Sequence, residues 1–267
     1  MNSAPPAAPL PLAGKRVVLT RPREQAERLA ERVREAGGEP ILVPAIEIRD
    51  LGDPARFFAL ADRLEEFDLA IFVSPNAVRK ALGLLRSRRA GKPWPASVRL
   101  AAIGSGSREE LLREGFTDVL APRTRADSEA LLAVAELSHP AGKRIVIFRG
   151  AGGREVLGGT LTARGAQVEY AECYRRVRPD ADPGVALAEW ERCAVDAVAV
   201  SSGEGLANLF EMLGAERRHW LVKVPLFVPH ERVAEQARRL GVRELVQSGA
   251  GDAELLAALV AYFRSAK

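Results

Sequence analysis

Cysteine is scarce: Cys173 and Cys193 are the two in 267 residues, too few for a disulfide framework. The three histidines, His139, His219 and His230, are scattered, with no Cys, Asp or Glu spacing that resembles a metal site. Aromatic residues make up 6% of the chain, which leaves little for stacking on bases, and no nucleic-acid partner is expected. Nucleotide loops are missing as well. Gly150-Ala151-Gly152 begins a dinucleotide fingerprint that fails at Glu155, Gly104-Ser105-Gly106 fails at Glu109, and the first strand runs into Thr20-Arg21-Pro22 without a glycine. There is no G-x-x-x-x-G-K-[ST] loop, no G-x-S-x-G elbow and no Cys–His signature. No apolar run approaches 18 residues, so no membrane partner is expected and a cytoplasmic location is. Residues 1–13, rich in Ala and Pro without a basic segment leading into an apolar one, read as a disordered tail.

What is present is a repeat. Gly14-Lys15-Arg16-Val17-Val18-Leu19-Thr20-Arg21 returns 128 residues later as Gly142-Lys143-Arg144-Ile145-Val146-Ile147-Phe148-Arg149. Asp68-Leu69-Ala70-Ile71-Phe72-Val73-Ser74 returns as Asp196-Ala197-Val198-Ala199-Val200-Ser201-Ser202; after a two-residue deletion, Leu100 and Gly115 match Leu226 and Gly241 at an offset of 126. Each copy has about 125 residues, near the usual size of one domain, and two similar lobes suggest a cleft between them. Net charge is +4 with a pI near 9.3. That mildly favours an anionic partner, although the interspersed charges also read as solvated helix faces.

Short, continuously apolar strands alternate with amphipathic helices, the pattern of parallel sheets covered on both faces. Lys15–Thr20, Leu69–Val73, Arg99–Ile103, Val119–Leu120 and Arg144–Phe148 read as strands. Arg23–Glu35, Ala77–Leu85, Arg108–Glu114, Asp127–Leu137 and Ala253–Phe263 read as helices. In such folds ligands bind beyond the carboxyl ends of the strands. The loops there are Thr20-Arg21-Pro22, Ser74-Pro75-Asn76, Gly104 to Ser107, Arg149 to Arg154, Ser201 to Glu204 and Pro229-His230. They offer small or hydroxyl side chains and free backbone N–H groups at helix starts, which suit anions, although Ser and Asn are also ordinary helix caps. Arg21, Arg149 and Arg154 could add forked guanidinium contacts.

Val17 to Pro22, Phe72-Val73-Ser74-Pro75-Asn76-Ala77-Val78, Ala102-Ile103-Gly104, Arg149-Gly150 with Gly153-Arg154-Glu155, and Val168 to Arg176 follow one another along a tandem α/β repeat. In that order and spacing the chain resembles the uroporphyrinogen-III synthase family from about Gly14 to Phe263. The resemblance implies a lyase that closes hydroxymethylbilane, a linear tetrapyrrole with eight carboxylates, to uroporphyrinogen III in porphyrin biosynthesis. It implies loss of water through an azafulvene cation and inversion of ring D through a spiro intermediate, with no cofactor and no metal. A monomer is implied, with transient contact to the preceding enzyme that releases the bilane.

By resemblance, Tyr174 is the candidate general acid for the leaving hydroxyl, the ordinary alternative being a half-buried hinge tyrosine. Ser74, Asn76, Gly104, Ser105, Arg149, Gly150, Ser202 and Gly203 fall in the motifs and loops expected to hold carboxylates, together with Arg21 and Arg154. His230 stands where many members have Thr or Ser, so a hydroxyl role there is replaced by an imidazole. The fold implied is α/β, two similar doubly wound, flavodoxin-like parallel-sheet domains joined by a two-stranded linker. Residues 14–39 with 176–265 would form one domain and 46–167 the other, with 40–45 and 168–175 as linker strands able to pair as a hinge. A two-lobed binding or sensor protein for an anionic metabolite is the main rival reading.

Overall fold

Following the chain through the computed structural model, which describes residues 10–123, 127–153, 155–180, 184–249 and 251–265, strand β1 (Arg16–Leu19) leads into α1 (Arg23–Glu35) and β2 (Glu39–Leu42). Then come β3 (Glu47–Arg49), α2 (Ala55–Ala61), β4 (Leu69–Phe72), α3 (Pro75–Arg89), β5 (Arg99–Ala102), α4 (Ser105–Arg113), β6 (Val119–Leu120) and α5 (Ser128–Leu132). The second copy continues with β7 (Arg144–Gly150), α6 (Val156–Ala163), β8 (Gln167–Val177), α7 (Gly184–Arg192), β9 (Ala197–Ala199) and α8 (Gly203–Arg217, interrupted at Gly214). The short α9 (His219–Val222), β10 (Leu226–Val228), α10 (Glu231–Arg239), β11 (Leu245–Gln247) and α11 (Asp252–Ser265) complete it.

The strands form two sheets, ordered β11-β10-β9-β1-β2 and β3-β8-β7-β4-β5-β6. Among the described residues, those up to 47 and from 177 onward make one compact unit, and those within 48–176 the other. In the first sheet every pairing is parallel, and its order is the flavodoxin-like 2-1-3-4-5. The second has the same order when β7 and β8 are counted first, with β3 added at its edge. Each sheet therefore takes its first two strands from one copy of the repeat and the rest, three in the first sheet and four in the second, from the other copy.

Alternation along each strand divides the core between two faces. In the first unit Val17 and Leu19 pack on Ala26, Leu29 and Val33 of α1 and on Leu255 and Leu259 of α11. Val18 and Val198 meet Trp190, Leu206, Leu209 and Val233 on the other side. In the second unit Phe72 stacks on Phe148 at 4.8 Å over Val78 and Leu82 of α3. Ile71, Ile145 and Ile147 face Leu131, Leu132, Leu157 and Leu161.

One tie recurs with the repeat. Asp196 accepts from the Arg16 N–H at 2.9 Å and from Lys15 Nζ at 2.8 Å; Asp68 accepts from the Arg144 N–H at 2.8 Å and from Lys143 Nζ at 3.3 Å. Both ties join a first strand to a third strand from the other copy. The Arg144 N–H, supported by Lys143, holds the Asp68 carboxyl below the usual aspartate range.

Several elements differ from expectation. Residues 11–13 form a turn rather than a tail: Leu12 is fully buried and its N–H reaches Ala36 O at 2.8 Å, while Leu10 stays exposed, because an apolar side chain at position 12 completes the core beneath α1. Residues 1–9 lie outside the described residues. The helix expected over Asp127–Leu137 is α5 followed by a 3-10 turn at 135–137, because Val134 between them is extended (φ −67°, ψ 135°). Segments 40–45 and 168–175 do not pair with each other: β2 is hydrogen-bonded to β1 and β8 to β7. The chain passes between units at 47/48 and 176/177, and the strands at those passages, β3 and β8, are the neighbouring pair. Their backbone groups gain ladder partners in the second sheet that a free hinge would leave to water.

Candidate functional site

In a 2-1-3-4-5 sheet the chain reverses direction of growth between its first and third strands, and ligands bind beyond the carboxyl ends there. In the second unit that point lies between β7 and β4, and in the first between β1 and β9. The helices that follow the third and fourth strands at this end of the sheets are α3 and α4 in one unit, α8 and α10 in the other.

Ser74 caps α3, its Oγ accepting from the Ala77 N–H at 3.0 Å, with Pro75 as the first helical residue. The same oxygen lies 3.1 Å from the Tyr174 hydroxyl. Tyr174 is 2% exposed, and its ring covers Gly150, where a Cβ would lie 2.7 Å from the ring. A side chain at position 150 would thus push the phenol off Ser74. Asn76 is buried, and its Oδ1 accepts from Arg79 Nη2 at 2.6 Å. Gly104 caps α4 in an extended conformation without a side-chain bond, so the amides at Ser105 and Gly106 have no cap.

Arg149 is buried with its guanidinium over the Tyr170 ring at 4.7 Å. It packs within its unit, where a cation–π contact compensates its desolvation. Cys173, beside it on β8, donates to Arg149 O at 3.1 Å, and burial pushes its thiol up to about 12. Arg154 lies outside the described residues.

The first unit repeats this layout. Ser202 caps α8 through the Gly205 N–H at 3.0 Å. His230 caps α10 in the same extended conformation as Gly104, again without a side-chain bond. Arg21, at the end of β1, pairs with Asp252 in the first turn of α11, and burial lowers its pKa. Thr20 is buried and donates to Ala199 O at 2.9 Å, closing β1 onto β9.

Three side chains further along these helices carry no mark in the sequence: Arg79, Glu110 and Gln236. Glu110 on α4 accepts from Arg79 Nη1 at 3.3 Å and from Arg113 Nη1 at 2.5 Å. Gln236 Nε2 on α10 donates to Gly203 O at 2.9 Å. They look like ordinary polar positions of amphipathic helices, and only the 126-residue offset aligns 110 with 236.

The strand ends of each unit thus present backbone amides and a capping serine, with the Tyr174 phenol in the second unit. Among the described residues no group of three or more His, Cys, Asp or Glu side chains is placed to hold a metal ion. Nor, among them, is any helix long and apolar enough to cross a membrane.

Residues 27–257 match the family profile described as uroporphyrinogen-III synthase HemD. A uroporphyrinogen-III synthase of Salmonella typhimurium is 39% identical over 251 residues, spanning 91% of this chain and 99% of that protein. That of Escherichia coli is 37% identical over 248 residues, with the same coverage. Among solved structures, a mutant uroporphyrinogen III synthase of Thermus thermophilus has a TM-score of 0.61 at 20% identity, covering 95% of this chain and 99% of that one. The Helicobacter pylori uroporphyrinogen-III synthetase has 0.59 at 12%, covering 95% and 100%. These two share the two-domain α/β fold. A profile match over most of the chain, with near full-length relatives well above 30% identity, leaves one assignment: the chain belongs to the uroporphyrinogen-III synthase family.

Proposed function

We propose that this chain closes hydroxymethylbilane to uroporphyrinogen III, with loss of water and inversion of ring D, and that its strand-end loops hold the substrate by its carboxylates. The observation that carries the reading is the repeated pair of helix starts, one capped by serine (Ser74, Ser202) and one without a side-chain cap (Gly104, His230). Uncapped amides at a helix N-terminus meet a carboxylate with directed hydrogen bonds and a favourable dipole. The binding residues proposed are Ser74, Asn76, Gly104, Ser105, Gly150, Ser202, Gly203 and His230, with Arg21, Arg149 and Arg154 supplying positive charge. Supporting the carboxylates at fixed points folds the bilane so that its two ends meet, which is entropic catalysis.

Tyr174 is proposed as the group that protonates the departing hydroxymethyl oxygen. The C–O bond breaks with its electron pair on oxygen, water leaves, and an azafulvene cation remains. The substituted carbon of ring D attacks that cation, the spiro intermediate opens, and reclosure in the inverted sense releases a proton that the phenolate can take back. A phenol is a weak acid, so this step assists rather than enables. The protein is further proposed to act as a cytoplasmic monomer, receiving its unstable substrate from the enzyme that makes it.

Incubation with freshly generated hydroxymethylbilane, followed by separation of isomers I and III, tests the reading. Isomer III is expected. Isomer I alone, with tight reversible binding, would instead identify a binding protein for anionic metabolites.

A further inference from the structure

Glu110 and Gln236 occupy the same place in the two copies of the repeat: each is the sixth residue of its helix, counted from the caps Gly104 and His230. Each reaches across to the first turn of the neighbouring helix in its own unit. In the first unit the link is direct. Gln236 Nε2 donates to the carbonyl of Gly203, the first residue of α8, and a Cβ on Gly203 would lie 2.3 Å from Gln236 Oε1. The glycine is there because the amide lies on the helix backbone.

In the second unit Pro75 stands where Gly203 does, and the link runs through an arginine. Glu110 accepts from Arg79, which donates in turn to Asn76, the second residue of α3. Glu110 is buried, and Arg113 satisfies its second oxygen. Apolar side chains of similar volume would pack at least as well as such a charged cluster. A polar tie, unlike an apolar contact, fixes direction and distance, since hydrogen bonds weaken steeply away from their preferred geometry. Two different chemistries at one repeat position make the same join.

We propose that Glu110, with Arg79, and Gln236 are positioning residues that set the spacing between the two helix starts of each unit and thereby the fit of those starts to the substrate's carboxylates. This rests on the function proposed above. Neither residue touches the reacting atoms; each acts through the amides at Ser105 or Gly203. A helix start displaced by a fraction of its hydrogen-bond length loses much of its hold on an anion.

The test uses the full chain with Gln236→Met, which keeps volume and removes the donor, and with the double change Gln236→Glu/Ala207→Arg. The double change transplants the carboxylate–arginine tie of the second unit, because Ala207 corresponds to Arg79 in the repeat. Binding of uroporphyrin III, an octacarboxylate probe, is measured by fluorescence alongside KM and kcat for isomer III and the thermal midpoint. Gln236→Met is expected to weaken probe binding and raise KM on the order of tenfold, about the contribution of one hydrogen bond, with a smaller fall in kcat. The double variant is expected to recover most of both. Unchanged probe binding and KM in Gln236→Met, or a loss that only tracks the thermal midpoint, overturns the proposal. Should the wild type yield isomer I alone, the function assignment fails, while the binding comparison still decides whether the tie positions the helix starts.

Discussion

Tyr174 is enclosed by its own unit, with its hydroxyl on the oxygen that caps α3. Removing that hydroxyl takes away a proton donor but no backbone support, so Tyr174→Phe is expected to keep turning over, with kcat lowered on the order of 10²-fold, the low end for a general acid. Stopped assays of isomer III formation measure it, and a rate equal to wild type removes Tyr174 from the mechanism. Ser74 and Ser202 were legible in the sequence because a hydroxyl residue directly after an apolar strand and before a helical pattern has few other uses. Asn76 shows the limit. Its place in the loop suggests a ligand contact, and its amide oxygen also accepts from Arg79, a partner that nothing in local spacing foretells. Glu110 and Gln236 were illegible for a related reason: a polar residue on an amphipathic helix is the ordinary case, and its partner is supplied by a different helix.

The helix starts can be tested through their caps. Ser202→Ala is expected to cost about 1 kcal/mol, the usual value of a serine N-cap. Ser74→Ala should cost about 2 kcal/mol, because it also strips a partner from the buried Tyr174 hydroxyl. Urea denaturation resolves the difference, and equal losses would show that the Tyr174 contact contributes nothing to stability. Between strands, the Asp68 tie predicts a pH dependence. Its carboxyl titrates below the ordinary aspartate value because the Arg144 N–H, aided by Lys143, favours the charged form. A depressed folded pKa gives a contribution present above about pH 4 and lost as pH falls through the folded value. The gap in thermal midpoint between wild type and Asp68→Asn should therefore be full near neutrality and close as the pH drops below about 4. A gap independent of pH would mean that the carboxylate's charge is not what holds β7 to β4.

At the scale of the whole chain, repeat and unit do not coincide. Cutting the sequence between the copies, near residue 139, separates β1 and β2 from β9, and β7 and β8 from β4. Neither half then holds a sheet with its middle pairing intact. A fragment of residues 47–177 contains all six strands of the second sheet and is expected to unfold cooperatively by circular dichroism, whereas fragments 14–138 and 142–265 are not. Cooperative unfolding of either half alone would refute the exchange of first strands. The repeat was visible in the sequence, and so was the doubly wound pattern, since both depend on residues close together along the chain. Where the chain changes units was less visible: β2 and β8 are equally extended wherever they pair, and the deciding partners, β1 and β7, are chosen by the sheets that form. The order of the strands also bears on synthesis. β1 leaves the ribosome early, but its inner neighbour β9 is made only after all of residues 48–176. At about 5–20 residues per second, its apolar edge waits roughly 10–40 s for that partner. The later-starting unit is complete first, so the N-terminal strand is the part of the nascent chain that needs shielding.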